Sequence, residues 1–418
     1  MSTLKVNKLR DTAGSADAIT LDPNGGAVLA GVTTVTSVKV GAAVTISESG
    51  IEASGIGITC ANINGGTIGG RRNIIINGAM TVAQRGTSST TSGYGTVDRF
   101  KCEYSGTDEA TTQAQVDVAS GTTPYTLGFR KAYKVTNGNQ TSGAGSSDMI
   151  TILHLIEAQD MANSGWNYLS SSSNITLSFW VKSSVAQNFY VRFKSADTTS
   201  QAYVIETGSL SADTWTKITK TISGNSNIVF NNDNGEGLEI TWELFRGTDQ
   251  TGTRPLNAWA AADNATRTPD QTSTWYTTND ATFEITGVQL EVGSQATPFE
   301  FRSYGEELKL CERYFEVISQ GDAYIGIAMC YSSSTATAVT QFRTTKRTTP
   351  SIYQVSGTNY YRLYRDNSSQ DLDSFSGIAG IHINGCAFYK SSMSHTSGHA
   401  GGFHGVNASS LVAVQSEL

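Results

Sequence analysis

Apolar and polar residues alternate over several short stretches in the middle of the chain, which is the pattern of half-buried β-strands. One stretch places four apolar residues on the same face of a predicted strand: Ile175, Leu177, Phe179 and Val181. The next stretch repeats the period with Phe189, Val191 and Phe193. In a later stretch Gly287 shifts the apolar positions by one residue, which predicts a β-bulge. Residues 71–303 are therefore predicted to form a jelly roll or a similar β-sandwich.

The first quarter of the chain is built differently, because no Phe, Tyr or Trp precedes Tyr94. Short runs of Val, Ile, Ala and Thr alternate there with glycines, as in the GGTIGG stretch at residues 65–70. Such strands bury little apolar area, and at about 25 cal/mol per Å² this does not offset a backbone entropy cost of about 1–2 kcal/mol per residue. A disordered tail would be poorer in β-branched residues. Residues 27–70 are therefore predicted to form an intertwined β-shaft with a core shared between chains, in preference to a flexible tail.

Residues 1–26 precede the predicted shaft and begin with loosely alternating apolar and basic side chains. These are Leu4, Lys5, Val6, Lys8, Leu9 and Arg10. A solvated first strand is the simplest interpretation of this pattern. The functional interpretation is an attachment peptide that docks into a larger assembly, since the extreme end of a fibre is a natural place for an anchor. Both interpretations fit the spacing.

A short helix is predicted after the sandwich, where Ser303 and Glu306 have the S-x-x-E spacing of a capping box. The strand-and-turn pattern then returns, so residues 304–418 are predicted to hold this helix and a small C-terminal β-domain. The predicted class is all-β, and the predicted architecture is an elongated fibre subunit with a shaft, a sandwich, one short helix and a terminal head.

Charge and cysteine usage exclude several classes of protein. The formal net charge is -7, whereas proteins that bind nucleic acid or anionic membranes usually carry a basic surface. No stretch is as long and apolar as a membrane span, and no secretory leader is visible at the start. The five cysteines are scattered and form no CxxC pair, which argues against disulfides and a zinc site. We therefore expect no nucleic-acid partner, no membrane insertion and assembly in a reducing cytoplasm.

Motifs of enzymes are missing from the sequence. It contains no nucleophile elbow, phosphate loop, dinucleotide-binding glycine pattern or zinc-protease motif. Adjacent acidic pairs occur at Asp108–Glu109 and Glu306–Glu307. Neighbouring side chains usually face apart, however, and a glycosidase needs two carboxylates about 5–10 Å apart across one cleft. The chain is therefore expected not to be an enzyme and to use no cofactor or metal.

Four longer strings resemble a known family. They are RRNIIINGAMTVAQRG at 71–86, GYGTVDRF at 93–100, LSFWVKSS at 177–184 and FEITGVQLEVGSQATPFEFRSYGEELKLCERYF at 283–315. Together they resemble a module that recurs in tail fibres and related virion proteins of cyanophages and other marine bacteriophages. The module is also similar, over shorter β-patterns, to the jelly rolls of carbohydrate-binding modules.

The resemblance implies a virion protein with a role in adhesion. It implies a homotrimeric tail fibre that is fixed by its N-terminus to a phage tail or adaptor protein and that presents its distal domains to a host-surface glycan or protein. Two alternatives remain open at this point: a tail spike that degrades polysaccharide, and a purely structural virion or capsid fibre without receptor binding.

Aromatic residues among polar ones are candidates for glycan contact, because a sugar has an apolar C–H face and a polar edge. Residues 257–276 have this mixture around Trp259, Trp275 and Tyr276. A strand face has it as well, with Trp180, Lys182, Tyr190 and Arg192. For Trp180, contact with a neighbouring subunit or layer is the stronger interpretation.

The tail motif HTSGHAGGFHG places three histidines close together in the sequence, at His395, His399 and His404. Its glycines and serines favour a loop over a helix, and the simplest interpretation is a polar surface loop. A receptor-contacting tip is the functional interpretation, since loops often carry binding residues. In a trimer, one histidine near the axis would be present three times and could bind a metal.

Overall fold

The computed structural model describes residues 72–418 in full and, within the compact unit Met1–Ala61, the backbone of six short strands. These strands are β1 (Lys8–Leu9), β2 (Ile19–Leu21), β3 (Ala27–Leu29), β4 (Ser37–Val40), β5 (Val44–Ser47) and β6 (Gly50–Ala53). They form two antiparallel three-stranded sheets, ordered β1–β2–β3 and β4–β5–β6.

The predicted attachment segment and the predicted shared core of the shaft are not covered by this description. Leu4, Lys5, Val6 and Arg10 lie outside the described residues, and so do the side chains of Lys8 and Leu9. The side chains of residues 27–70 lie outside the described part of the chain as well. Both predictions therefore stay predictions.

The second compact unit, Asn62–Leu418, begins with a two-layer β-sandwich. Its strands are β7 (Ser88–Ser89), β8 (Phe100–Ser105), β9 (Thr112–Asp117), β10 (Lys131–Thr136), β11 (Met149–Glu157), β12 (Asn174–Ser183), β13 (Asn188–Ser195), β14 (Gln201–Ser209), β15 (Thr216–Ser223), β16 (Glu236–Arg246), β17 (Trp259–Ala261) and β18 (Thr282–Val292). One sheet has the order β15–β12–β18–β10–β9–β7 and the other β17–β14–β13–β16–β11–β8. We call these two sheets the central sandwich.

Short helices connect some of these strands. They are α1 (Thr123–Thr126), α2 (Ala158–Ala162), a 3-10 turn (Thr248–Gln250), α3 (Thr274–Thr277) and α4 (Tyr304–Glu312). The prediction of an all-β class with few helices is confirmed. The capping box at α4 is confirmed too, because the Ser303 hydroxyl accepts from the Glu306 backbone N–H and the Glu306 side chain accepts from the Ser303 backbone N–H.

The core of the central sandwich is formed by the alternating residues that the sequence pattern identifies. Leu177 and Phe179 are buried between the sheets, and the Phe179 ring meets the Trp242 indole edge-on with 5.7 Å between centroids. Gly287 has a left-handed φ of 62°, and the register of β12 against β18 shifts next to it. The predicted bulge is therefore confirmed. Only glycine adopts this φ without strain from a side chain.

A second, smaller cluster covers the outer face of the first sheet. Trp180 packs there, half-buried, against a cluster that includes Phe129 and Ala79, and Phe299 packs against the same cluster. Of the two contacts predicted for Trp180, with a neighbouring subunit or with a neighbouring layer, the structure shows packing against residues of the same chain.

A second pair of sheets follows α4, and we call it the C-terminal β-domain. Its strands are β19 (Phe315–Gln320), β20 (Ala323–Cys330), β21 (Ala336–Gln341), β22 (Ser351–Val355), β23 (Tyr361–Arg365), β24 (Ser368–Leu372), β25 (Gly377–His382), β26 (Gly385–Lys390), β27 (Ala400–Gly405) and β28 (Leu411–Gln415). The small sheet is ordered β19–β28–β22 and the large one β24–β23–β27–β20–β21–β26–β25. Val412 and Val414 of the small sheet pack in one core with Phe388 and Phe403 of the large sheet.

Charged side chains join the central sandwich to the C-terminal β-domain, and we call this contact the junction. The Glu157 carboxylate, fully buried at the end of β11, accepts from Arg313 Nε at 2.7 Å and from Arg313 Nη2 at 2.8 Å. The Tyr314 hydroxyl donates to the same carboxylate. Nearby, Arg99 pairs with Glu417. A buried carboxylate needs such partners, because an unpaired charge in the interior is costly.

Candidate functional site

The aromatic residues predicted at 257–276 do not share one surface. Trp275 and Tyr276 lie on α3 and are buried in the core of the central sandwich. The Trp275 indole Nε1 donates to the Thr282 carbonyl at 3.0 Å, and the Tyr276 hydroxyl donates to Asp148 at 2.8 Å. The prediction that these two side chains contact a ligand is corrected by their burial, because α3 folds back into the sandwich and turns both rings inward.

Trp259 lies on the edge strand β17 and is only half-buried. Its ring packs against Tyr203 with 5.3 Å between centroids, and its Nε1 donates to the Ser223 carbonyl at 2.7 Å. These contacts fasten the edge strand to the sandwich. Because Trp275 and Tyr276 are buried in the core against which Trp259 packs, the three residues share no exposed surface.

The strand face with Tyr190 and Arg192 is covered rather than open to solvent. Both side chains are buried. The Tyr190 hydroxyl donates to Asp270 at 2.7 Å, and Arg192 pairs with Glu239 at 3.1 Å. The prediction of a solvent-facing glycan surface is therefore wrong for these two residues, because the segment after β16 folds over this part of the sheet.

The tail motif that contains the three histidines borders a groove on the large sheet of the C-terminal β-domain. The groove has a volume of about 860 Å³, and β27 forms its floor with Gly401 and Gly402. β23 supplies Tyr364 on one side, and β20 supplies Tyr324 and Ile327 on the other. The register places Gly402 opposite Tyr364 on β23 and opposite Ile327 on β20. Because Gly402 has no side chain, the floor of the groove lies below the side chains of Tyr364 and Ile327 on either side.

Both tyrosine rings of the groove face the solvent, since Tyr324 is 68% exposed and Tyr364 is 37% exposed. The His404 ring, on the next row of β27, meets each of them edge-on, at 4.4 Å from Tyr324 and 5.8 Å from Tyr364. His404 Nδ1 also lies 3.5 Å from an Asp322 carboxylate oxygen. These contacts hold the two rings before any ligand arrives, which reduces the entropy lost on binding.

A tight turn between β23 and β24 closes one end of the groove. Asp366 and Asn367 form it with φ values of 43° and 54°, and Arg365 pairs with Ser368 across it. Asp and Asn tolerate these left-handed angles better than other residues with a side chain, so the sequence directs the turn to this position. The turn brings the Asp366 carboxylate, the Asn367 amide and the hydroxyls of Ser368 and Ser369 to the rim of the groove, while the Arg365 guanidinium donates to the Ser394 carbonyl at 2.6 Å.

Two further histidines lie near this turn. His399 Nδ1 is 3.5 Å from an Asp366 carboxylate oxygen. His395 lies further back, and its ring nitrogens are buried without a hydrogen-bond partner among the described residues. Burial, together with the nearby Arg365 and His399, lowers the pKa of His395. The tail motif thus contributes His399 and His404 to the surroundings of the groove, while His395 supports the loop behind it.

Sequence reasoning missed Tyr324 and Tyr364, the two tyrosines that line the groove. Tyr364 could have been found, because Tyr361 and Leu363 are the buried partners of an alternating strand and Tyr364 therefore points outward. Tyr324 could not be found this way. A register shift between Tyr324 and Gly326 interrupts the alternation of β20.

An exposed apolar surface continues from the groove along β20 and β21. Ile327 is 84% exposed and Val339 is 71% exposed, Met329 is exposed on the same side of β20, and Tyr331, directly after that strand, is exposed as well. The pairing of Ala328 with Ala338 places Val339 beside Ile327. We call these four residues the apolar stripe.

Residues 72–418 contain no group of three or more His, Cys, Asp or Glu side chains arranged to hold a metal ion. In the same range, none of the helices has the length and apolar character needed to cross a membrane.

No protein-family model and no curated protein matches the sequence. Among solved structures, the enzymatically active domain of tailspike protein 4 of bacteriophage CBA120 is 10% identical with a TM-score of 0.29, and the match covers 53% of this chain and only 21% of that one. The N-terminal cellulose-binding domain of Cellulomonas fimi β-1,4-glucanase C is 10% identical with a TM-score of 0.25, covering 52% of this chain and 99% of that one.

A further similar structure is the family 11 carbohydrate-binding module of a Clostridium thermocellum cellulosomal cellulase. It is 10% identical with a TM-score of 0.24, and the match covers 50% of this chain and 96% of that one. The chain is thus similar in part to a phage tailspike domain and to carbohydrate-binding modules. All three TM-scores are below 0.5, and the function of this chain has to be argued from its own residues.

Proposed function

We propose that this protein is the subunit of a bacteriophage tail fibre that adheres to a glycan on the host surface. In this proposal three copies assemble in the virion, residues 1–26 attach them to a tail or adaptor protein, and the groove of the C-terminal β-domain binds the glycan. The observation that supports adhesion most directly is the pair of exposed rings, Tyr324 and Tyr364, held beside a glycine floor.

The chemistry of the groove suits a sugar. The apolar C–H face of a pyranose can pack on a tyrosine ring, and its hydroxyl edge needs donors and acceptors around it. The rim supplies both kinds, with Asp366 as an acceptor and with the Asn367 amide and the Ser368 and Ser369 hydroxyls as both donors and acceptors. A few polar groups placed around an apolar surface are typical of small-ligand sites.

Adhesion without catalysis is the favoured form of this proposal. The residues that line the groove include a single carboxylate, Asp366. Hydrolysis of a glycosidic bond usually requires two carboxyl groups on opposite sides of that bond. A single shallow site binds weakly, but three sites on one fibre raise the overall affinity by effective concentration, without new contacts.

The test measures binding of the full-length protein to an immobilised array of bacterial lipopolysaccharides and capsular polysaccharides. We expect Tyr324→Ala and Tyr364→Ala each to weaken binding by about tenfold, as expected when a residue that dominates an interface is truncated. Tyr304→Ala is the matched control, because Tyr304 is 60% exposed on α4 and lies outside the groove.

Three outcomes would count against parts of the proposal. Equal binding by the two groove variants and the Tyr304 variant would remove the groove from the adhesion site. No binding of the wild-type protein to host cells would favour a purely structural fibre. New reducing ends in the polysaccharide after incubation would favour the degrading tail spike.

A further inference from the structure

The apolar stripe is an unusual surface for a protein that is monomeric in water. Seven of the eleven exposed large apolar side chains among the described residues lie between Tyr324 and Ile381, and four of the seven form the stripe. Soluble monomers rarely expose large contiguous apolar patches, and such patches commonly mark interaction sites. The other exposed apolar residues, such as Leu127 and Leu169, are separated along the chain.

The chemistry of the stripe selects the kind of partner. Ile327 and Val339 have no hydrogen-bonding group in the side chain, the Met329 thioether is only a weak acceptor, and Tyr331 carries the only hydroxyl of the four residues. The residue paired with Met329 on β21 is the uncharged Thr337. A glycan lying over Met329 and Val339 would lose hydrogen bonds to water without replacing them, which is unfavourable. A charged protein surface would meet the same penalty. The partner must therefore present an apolar protein surface.

A second copy of this chain presents such a surface. The stripe exposes on the order of several hundred Å² of side-chain area, and with the surrounding backbone this approaches the roughly 800 Å² per partner of a standard protein interface. In a cyclic trimer, residues close to the axis meet the same residues of the neighbouring copies. An uncharged apolar surface packs against its own equivalent without bringing like charges together.

We infer that the apolar stripe packs against the same region of neighbouring copies and lines the axis of the trimer. This inference rests on the homotrimer of the proposed function. It places the interface between the three copies in the C-terminal β-domain. Ile327 belongs to both the stripe and the groove wall. Assembly therefore fixes one wall of each groove, and the three grooves lie beside the trimer axis.

Cysteine cross-linking of the full-length protein tests this position. Val339→Cys places a thiol in the stripe beside Ile327, and Leu169→Cys is the control, because Leu169 is 52% exposed in the loop before β12. The native thiols at 102, 311, 330 and 386 are buried, and the wild-type protein controls for Cys60. With a short bismaleimide, we expect the Val339 variant to form at least tenfold more covalent dimer than the Leu169 variant, on a denaturing gel and independently of dilution.

Light scattering of the same samples separates the possible failures. If the Val339 variant has a trimeric mass and cross-links no better than the Leu169 variant, the stripe is not at the axis, while the homotrimer stands. If the wild-type protein has a monomeric mass, both the stripe interface and the homotrimer are overturned. Efficient cross-linking in a trimeric sample supports both.

Discussion

The central sandwich and the C-terminal β-domain are both two-layer β-structures, yet their aromatic residues lie in different places. In the central sandwich Trp242, Trp275 and Tyr276 are buried in the hydrophobic core. In the C-terminal β-domain the core uses Phe388 and Phe403, while several tyrosines remain on the outer face of the large sheet.

The difference separates stability from recognition. Large buried rings contribute to stability by removing apolar area from water and by edge-on contacts with other rings. Exposed rings cost little stability to replace but are available to a ligand. The region that is richest in tryptophan is therefore the scaffold, and the region with the better exposed rings is the one that can contact a ligand.

The strongest test of this difference truncates one buried ring in the central sandwich and one exposed ring in the C-terminal β-domain. Trp275→Ala removes a fully buried indole and its hydrogen bond to Thr282, and we expect it to lower the free energy of unfolding by about 3–5 kcal/mol. Tyr324→Ala removes an exposed ring, and we expect a loss below about 1 kcal/mol. Urea unfolding followed by tryptophan fluorescence and circular dichroism measures both.

A conservative variant completes this experiment. Trp275→Phe keeps an apolar ring in the core and loses the hydrogen bond, so its loss of stability should lie well below that of the alanine variant. If Trp275→Ala instead reduced glycan binding while leaving stability unchanged, the assignment of this residue to the scaffold would be wrong.

Local features of the fold were predictable from the sequence. Alternation identified the buried face of β12 because its period follows from strand geometry. The Gly287 bulge and the Ser303–Glu306 capping box were predictable for the same reason, since each depends on a few consecutive residues.

Features that depend on long-range packing were not predictable. Trp275 and Tyr276 lie in a polar loop sequence, and their burial requires α3 to fold back onto Asp148 and the first sheet. The groove requires Tyr324, Tyr364 and His404 to meet from three strands that are far apart in the sequence. Neither arrangement leaves a signal in the spacing of residues.

The Glu157 carboxylate at the junction provides a test of how strongly the central sandwich and the C-terminal β-domain stabilise each other. Burial raises the pKa of Glu157, but the hydrogen bonds from Arg313 and Tyr314 outweigh that effect, so the pKa lies below its ordinary value in the folded protein. A carboxyl group with a depressed pKa adds stability above its unfolded pKa, near 4.5, and this contribution is lost as the pH falls below that value.

Glu157→Gln removes the charge while keeping an amide of similar shape. We expect it to lower the free energy of unfolding by about 2 kcal/mol at pH 7, because Arg313 and Tyr314 lose a charged acceptor, and by less at pH 4. Calorimetry should show the central sandwich and the C-terminal β-domain unfolding at more separate temperatures. An unchanged single transition at pH 7 would mean that Glu157 does not couple the two regions.

The smallest predicted effect concerns the floor of the groove and tests recognition with almost no change in stability. A Cβ atom at Gly402 would lie 3.2 Å from the Tyr324 ring, so the ring must move by a few tenths of an ångström. Tyr324 is exposed and can make this movement, and we expect Gly402→Ala to change the free energy of unfolding by less than about 0.5 kcal/mol. The shifted ring and the raised floor should weaken glycan binding by about two- to fivefold.

Gly305→Ala is the control, because nothing lies within 4 Å of its added Cβ. Binding that is equal for the Gly402 and Gly305 variants would place the glycan away from the floor of the groove.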